Sequence, residues 1–251
     1  MLGLSLRTHD VRDLFKALLA QKQFTSINRE ASMTGLVGNT TIEIVGASFI
    51  ADEPAIFGEV NWDWVKREEE WYYSQSLNVN DIPGGAPAIW KAVADKDGFI
   101  NSNYGFLIFS PKNGITEMTS GIGSAGIREL SQYDLVLEEL KRNPASRRAQ
   151  MIYTRPTMWA DYNKNGRSDF CCTDTVQYLI RDGALHSLVR MRSNDAIFGY
   201  KGDRAWQLHV LEKLANDLQV PVGKIYWNVG SLHVYERHYH LVDPTWKNAN
   251  A

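Results

Sequence analysis

An α+β fold with a mostly antiparallel or mixed sheet and flanking helices is predicted by three observations. Two period-2 apolar runs, Val176, Tyr178 and Ile180 and then Leu185, Val189 and Met191, flank Asp182-Gly183, whose ready positive φ suits a hairpin turn. Apolar residues recur at helical spacing in several separate stretches. A β-branched segment at 40–50 and an extended stretch at 225–235 supply further strands, and helices mixed with such strands make an α+β architecture. At 251 residues the chain can bury a sizeable core, and residues 1–251 are expected to form one domain.

Val11, Leu14, Phe15, Leu18 and Leu19 follow Asp10, a candidate N-cap, and mark a first amphipathic helix. After a polar loop, residues 40–50 (TTIEIVGASFI) read as a strand with a bulge or close backbone approach at Gly46, Ala47 and Ser48. Trp64, Val65, Glu68, Trp71 and Tyr72 share one face of a second helix. That placement sets the Glu68 carboxylate on an aromatic stripe, where it must be neutralised, hydrogen-bonded or part of a site. A turn-rich break at 81–87 precedes a short helix at Ile89-Trp90 and an extended segment at 101–109. Gly, Ser, Thr and Asn then dominate 110–126, read as a mobile loop insertion within the domain. A third helix at 131–142 ends at Asn143-Pro144, followed by a strand at 150–155 and a polar loop at 161–168. Beyond the hairpin, a glycine-containing loop at 195–203 leads into the longest helix, with Asp203 at its N-cap position. The last strand sets His233 and Tyr235 on one face.

A net charge of -2 gives no basic excess, so a non-specific grip on nucleic acid is not expected. The two cysteines are sequence neighbours and cannot staple a fold; with no apolar leader and no run as long as a membrane span, a cytoplasmic protein is expected. His233, His238 and His240 match no zinc-ligand spacing, and no metal is expected.

The hairpin carries the chemistry. Adjacent strands lie about 5 Å apart, so Cys171 or Cys172 at the start of one comes near Arg192, Ser193 and Asn194 at the end of the next. A thiol works as a nucleophile only where positive charge or a hydrogen-bond donor favours its thiolate, and Arg192 is placed to do that. From spacing alone a buried structural cysteine is the better reading, since unpaired cysteines are among the commonest buried residues. Arg147, Arg148, Arg155 and Arg192 flank segments that can converge on a phosphate.

At this point the residues resemble a known family. Ser146-Arg147-Arg148, Cys172, Arg192-Ser193 followed by Asp195, Phe198-Gly199, and His233 with Tyr235 stand in the order and spacing of the thymidylate synthase family. Residues 68–71 (EEEW), Ile89-Trp90 and Tyr104-Gly105 extend the match upstream, so that it covers nearly the whole chain. The longer strings at 45–49 (VGASF), 51–54 (ADEP), 151–156 (MIYTRP), 175–182 (TVQYLIRD) and 227–235 (WNVGSLHVY) resemble the bacteriophage deoxycytidylate hydroxymethylase branch of that family. The resemblance implies a homodimer joined through a sheet face, with dCMP and 5,10-methylenetetrahydrofolate as substrates. It implies that Cys172 adds to C6 of the pyrimidine and that Cys171 is a bystander. Glu68 would organise water and proton transfers. Arg192 and Ser193 would hold the nucleotide phosphate, joined by Arg147 and Arg148 of the other subunit and by Arg29 of the N-terminal loop. Asn194 and Asp195 would line the base and folate, with Trp90 on the folate side, and His233 and Tyr235 would bind the sugar 3′-hydroxyl.

Family members acting on uracil carry asparagine where this chain has Asp203. An acceptor-only carboxylate suits the N4 amino donor and protonated N3 of cytosine, so the resemblance implies a cytosine substrate. Where synthases end in an apolar closing segment, this chain ends in the polar residues 245–251, which implies water addition and a hydroxymethyl product. Methylation of dCMP or dUMP, hydroxymethylation of CMP, a non-catalytic nucleotide-binding protein, and a cysteine hydrolase using His233 as base are the alternatives.

Overall fold

The computed structural model describes residues 6–26, 40–113, 115–121 and 124–246. Arg29 and residues 247–251 therefore lie outside the described residues. Strand β1 (Leu6–Arg7) leads directly into helix α1 (Thr8–Ala20), which buries Val11, Phe15 and Leu19, one every four residues along a single face. Asp10 lies inside this helix and not at its N-cap; its carboxylate reaches back to the Arg7 N–H at 2.8 Å. Strands β2 (Thr25–Ser26) and β1 pair with opposite ends of β3 (Thr40–Ile50).

Among the described residues the main sheet has seven strands, ordered β1-β3-β9-β8-β7-β6 with β2 also on β3. Strand β3 runs antiparallel to β9 (Val222–Tyr235), and β8 (Ala184–Asp195) antiparallel to β7 (Thr173–Arg181), which pairs with β6 (Gln150–Ile152). Strands β8 and β9 are parallel, because helix α7 (Gly199–Leu218) carries the chain back between them. The sheet is thus mixed, as expected. The expected bulge at Gly46 is not there: the β3·β9 register continues unshifted from Val45 opposite Ser231 to Ala47 opposite Val229, while Gly46 itself adopts φ +69°. The β7–β8 turn holds Asp182 at φ +50° and Gly183 at φ +76°, the two positive values that a primed two-residue hairpin turn requires.

Helix α2 (Trp62–Ser74) starts where the Asn61 side chain accepts the Trp64 N–H at 3.0 Å, and buries Val65, Glu68, Trp71 and Tyr72. Short helix α3 (Ala88–Val93) carries Ile89 and Trp90 as predicted. The apolar run after residue 103 forms helix α4 (Tyr104–Phe109) and not the expected extended segment. A short apolar run does not distinguish the two by periodicity; the cap decides. Asn103 accepts the Phe106 N–H at 2.7 Å and donates to the carbonyls of Trp71 and Ser76, starting a helix and docking it on α2.

The 110–126 stretch, expected as a loop, pairs with itself: strands β4 (Ile115–Gly121) and β5 (Ser124–Leu130) form a separate two-stranded sheet. Its threonines and isoleucines suit strands and its glycines suit a turn, so composition alone does not separate loop from hairpin. Helix α5 (Gln132–Arg142) begins with a reciprocal cap between Ser131 and Asp134. The strand expected at 150–155 stops at Ile152, and the following segment includes helix α6 (Met158–Asp161). Helix α8 (Tyr239–Val242) closes the described fold. Trp71, Trp206 and Trp227 are fully buried, so the helical layer of α2 and α7 shares one core with β9.

Candidate active site

Strand β8 ends as Arg192, Ser193, Asn194 and Asp195, and strand β7 begins one residue after Cys172, so the hairpin brings the two ends together. The Arg192 N–H donates to the Cys172 carbonyl at 2.9 Å. Its guanidinium is fixed to the cysteine segment by Nε to the Cys171 carbonyl (3.0 Å) and Nη2 to the Phe170 carbonyl (2.7 Å), and it lies over the Phe170 ring. Nη2 is 3.7 Å from Cys172 Sγ. Burial pushes the Cys172 thiol up to about 12, with Arg192 opposing and Asp203 adding to the rise. Arg192 is thus the cation that favours the thiolate, inside a site where burial first, and the carboxylates after it, favour the thiol.

Cys171 is fully buried and receives a hydrogen bond from Ser102 Oγ at 3.3 Å. Its thiol is pushed well above the ordinary range by burial. It is held in a segment that Asp169 anchors by accepting Asn101 N–H (2.6 Å), Ser102 N–H (2.8 Å) and Ser102 Oγ–H (2.7 Å).

Asp203 is not an N-cap. Helix α7 begins at Gly199, which puts Asp203 one turn inside it, facing the end of β8. Asn194 Nδ2 donates to Asp203 Oδ2 at 2.8 Å, while Asn194 Oδ1 accepts from the Trp227 indole at 3.3 Å. The indole can only donate, so the Asn194 amide orientation is set and it presents a donor to Asp203. Burial raises the Asp203 pKa to about 7 against the Asn194 hydrogen bond, with Asp195 adding to the rise.

Glu68 comes to the same place from α2. It is buried, and burial followed by the charge of Asp203 pushes its pKa up to about 8; contacts to Trp90 and Tyr72 act the other way. Gly202 makes the approach possible: a Cβ at that position would lie 2.9 Å from Glu68 Oε2. Tyr104, at the start of α4, accepts from Thr173 N–H (3.3 Å) and Thr173 Oγ1–H (3.1 Å), and its hydroxyl also lowers the Asp203 pKa. Neither Tyr104 nor Asp169 had a role in the sequence reading. Asp169 had a signal, a carboxylate next to the apolar Phe170-Cys171 pair.

On the other side of Arg192 stand His233 and Tyr235, ring centroids 4.8 Å apart, with Asp195 opposite His233 across the β8·β9 pair. Asp195 Oδ1 accepts the Ile197 N–H at 2.8 Å and shapes the turn into α7. Ser193 sits beside Ser231 in that ladder. Burial lowers the His233 pKa, so the ring is neutral near pH 7.

Three groups fall elsewhere. Arg147 and Arg148 lie between α5 and β6 of their own chain and are not joined to this cluster; Arg148 is held by Glu139 at 3.2 Å, whose carboxyl is lowered to about 2 by Ser146, Arg142 and Arg148. Arg155 pairs with Asp161. No group of three or more metal-binding side chains occurs among the described residues. No helix among them is long and apolar enough to cross a membrane. The arrangement combines a thiol beside a guanidinium with two carboxyls that titrate near neutrality, which suits nucleophilic addition followed by proton transfers.

Comparison with known proteins adds the following. The thymidylate synthase family model matches residues 54–250. The chain is 49% identical to the deoxycytidylate 5-hydroxymethyltransferase of Enterobacteria phage T4, over 98% of this chain and 94% of that protein, and the phage T2 enzyme of the same name is equally similar. A thymidylate synthase of Bacillus subtilis subsp. natto is 30% identical over 72% of this chain and 60% of its own length. Among solved structures, the thermostable thymidylate synthase A of Bacillus subtilis superposes with a TM-score of 0.64 at 23% identity, covering 91% of this chain and 81% of that one, a likeness of fold.

Proposed function

The chain belongs to the thymidylate synthase family, and we propose that it transfers a one-carbon unit from 5,10-methylenetetrahydrofolate to C5 of dCMP with addition of water, giving 5-hydroxymethyl-dCMP and tetrahydrofolate. The observation that carries this reading is Asp203: a carboxyl titrating near 7, given a donor by Asn194, within electrostatic reach of Cys172 and Glu68.

The steps follow from the groups. Cys172 adds to C6 of the ring, and the resulting electron density reaches N3. A proton shared between Asp203 and N3 neutralises that charge, while the same carboxyl accepts from the N4 amino group. Uracil presents an oxygen at C4 instead, which faces the acceptor oxygens of the carboxylate and is rejected. C5 then bonds to the folate methylene and loses its proton, and elimination of tetrahydrofolate leaves an exocyclic methylene; water adds there, the C5–C6 double bond re-forms as the Cys172 thiolate leaves C6, and the proton given up by the water returns to the thiol. Glu68, protonated up to about pH 8, holds the water and exchanges protons with it. Water, not hydride, adds to the methylene, so no reductant is consumed and the folate leaves as tetrahydrofolate.

Arg192 and Ser193 hold the phosphate, Asn194 and Asp195 line the base and folate, Trp90 beside Glu68 faces the folate, and His233 with Tyr235 binds the 3′-hydroxyl. Arg147 and Arg148 serve the partner's site in a homodimer: in their own chain they precede β6 at the edge of the sheet, with Arg148 held by Glu139, and Ser48, Asn228 and Arg190 form a polar row across a sheet face available to a second copy. The enzyme works in the cytoplasm, the host's if it is phage-borne. Tritium release from [5-³H]dCMP and [5-³H]dUMP with methylenetetrahydrofolate, followed by product mass, tests the reading. Release chiefly from dCMP with a hydroxymethyl product is expected; release from neither nucleotide, or a methyl product with dihydrofolate absorbance, refutes it.

A further inference from the structure

We propose that Glu43, acting through Ser231, is a positioning residue that fixes His233 in the tautomer whose Nε2 accepts a hydrogen bond from the nucleotide sugar. The proposal rests on the sugar contact assigned to His233 above.

Glu43 lies directly opposite His233 in the antiparallel β3·β9 ladder, and Ser231 is two residues before His233, so all three side chains share one face. Ser231 Oγ donates to Glu43 Oε1. A hydroxyl has one proton, and a carboxylate oxygen can only accept, so that proton is committed to Glu43. The lone pairs of Ser231 Oγ then face His233 Nδ1 at 3.4 Å, and the Ser231 carbonyl lies 3.3 Å from the same nitrogen. Both neighbours of Nδ1 are acceptors, so Nδ1 carries the hydrogen. In a ring kept neutral by burial, Nε2 is left with its lone pair. Asp195, the ladder neighbour on the other strand, turns Oδ1 to the Ile197 N–H. A sugar hydroxyl is the donor that an Nε2 acceptor selects.

Without the carboxylate, the Ser231 hydroxyl is free to donate to Nδ1, and the proton moves to Nε2. Glu43→Val suits the strand and removes the acceptor; Glu43→Gln keeps an oxygen that can accept and is the rescue control. Long-range ¹H–¹⁵N NMR of the wild-type protein should show Nδ1 of His233 protonated and Nε2 bare, with Glu43→Val reversing the pattern and Glu43→Gln preserving it. KM for dCMP should rise about tenfold in Glu43→Val, the effect of one mispaired buried polar group, with kcat within about twofold. In a Ser231→Ala background no hydroxyl is left to donate to Nδ1 and the backbone carbonyl still accepts from it, so Glu43→Val should add nothing to KM there. With 2′,3′-dideoxy-CMP, which lacks the 3′-hydroxyl, wild type and Glu43→Val should have equal KM. An Nε2-protonated His233 in wild type, or an unchanged tautomer in Glu43→Val, overturns the proposal. A wild-type enzyme that uses the dideoxy analogue as well as dCMP overturns instead the sugar contact on which it rests.

Discussion

Asp203→Asn is the substitution that most directly tests the chemistry. The two side chains are isosteric, and an asparagine oxygen still accepts from Asn194 Nδ2, so the local packing around the 2.8 Å contact survives. What changes is the pattern shown to the base. A carboxyl that shares a proton with N3 and accepts from the N4 amino group becomes an amide that can donate to O4 and accept from N3–H. Two base contacts are mispaired for cytosine and matched for uracil. Each mispaired buried group costs about 1–3 kcal/mol, so the ratio of kcat/KM for dCMP over dUMP should fall by between about 30-fold and about 10⁴-fold. The assay is tritium release from the two 5-labelled nucleotides under identical folate. A second readout comes from Glu68, because the charge of Asp203 is the next cause after burial of its raised pKa. Removing that charge lowers the Glu68 pKa, so the limb of the pH–rate profile that reports Glu68 should move to lower pH. If the variant keeps the wild-type preference for dCMP, base selection does not reside at Asp203 and the reasoning fails.

Glu68→Gln should lose activity and gain stability. In the folded protein the group titrates near 8 against 4.5 for the ordinary residue, so between those values the native state holds a proton that the unfolded chain has released. Stability therefore falls as pH rises from about 4.5 to about 8, a destabilisation on the order of a few kcal/mol. The glutamine variant escapes this, and its thermal midpoint by circular dichroism should exceed wild type by roughly 5–10 °C at pH 8 and by little at pH 4.5; equal gains at both would contradict the buried ionisation. Cys172→Ser should abolish tritium release and any covalent adduct seen by mass spectrometry with 5-fluoro-dCMP and methylenetetrahydrofolate, whereas Cys171→Ser should still form the adduct; the reverse pattern would exchange the two roles. Subunit mixing tests the arginines. Cys172→Ser and Arg148→Glu homodimers should each be nearly inactive, while refolding them together should restore activity through heterodimers with one intact site. Absence of restoration would place Arg148 in the site of its own chain, or outside the sites altogether.

Much of this arrangement was legible from local pattern. The alternation on either side of Asp182-Gly183 placed Cys172 against Arg192, because a two-residue turn fixes register and period 2 fixes facing. Helical spacing placed Glu68 among Val65, Trp71 and Tyr72, and all four are buried. The α4 segment is not legible as a helix because a short apolar run suits a buried strand or a helix equally, and the deciding contacts of Asn103 reach the carbonyls of Trp71, in α2, and Ser76, just beyond it, about thirty residues away in sequence. The sequence suggests a cap at Asp203 because the glycines at 199 and 202 look like loop residues; they lie inside the helix, and Gly202 gives Glu68 room to approach.

The sequence by itself determined which chemical groups the molecule owns and which of them are neighbours along a strand or a helix face: the thiol and guanidinium at the two ends of one hairpin, the carboxylate on an aromatic stripe, and the imidazole and phenol two residues apart. Only the tertiary structure decided how those groups ionise and which way they point. Glu68 and Asp203 titrate near neutrality because α2 and α7 carry them into one desolvated space, where the charge of Asp203 adds to the rise at Glu68 and that of Asp195 to the rise at Asp203. The His233 proton is placed by a carboxylate from a strand nearly two hundred residues away in sequence. Desolvation and hydrogen-bond partnership are properties of surroundings assembled by long-range packing, and no local pattern encodes them.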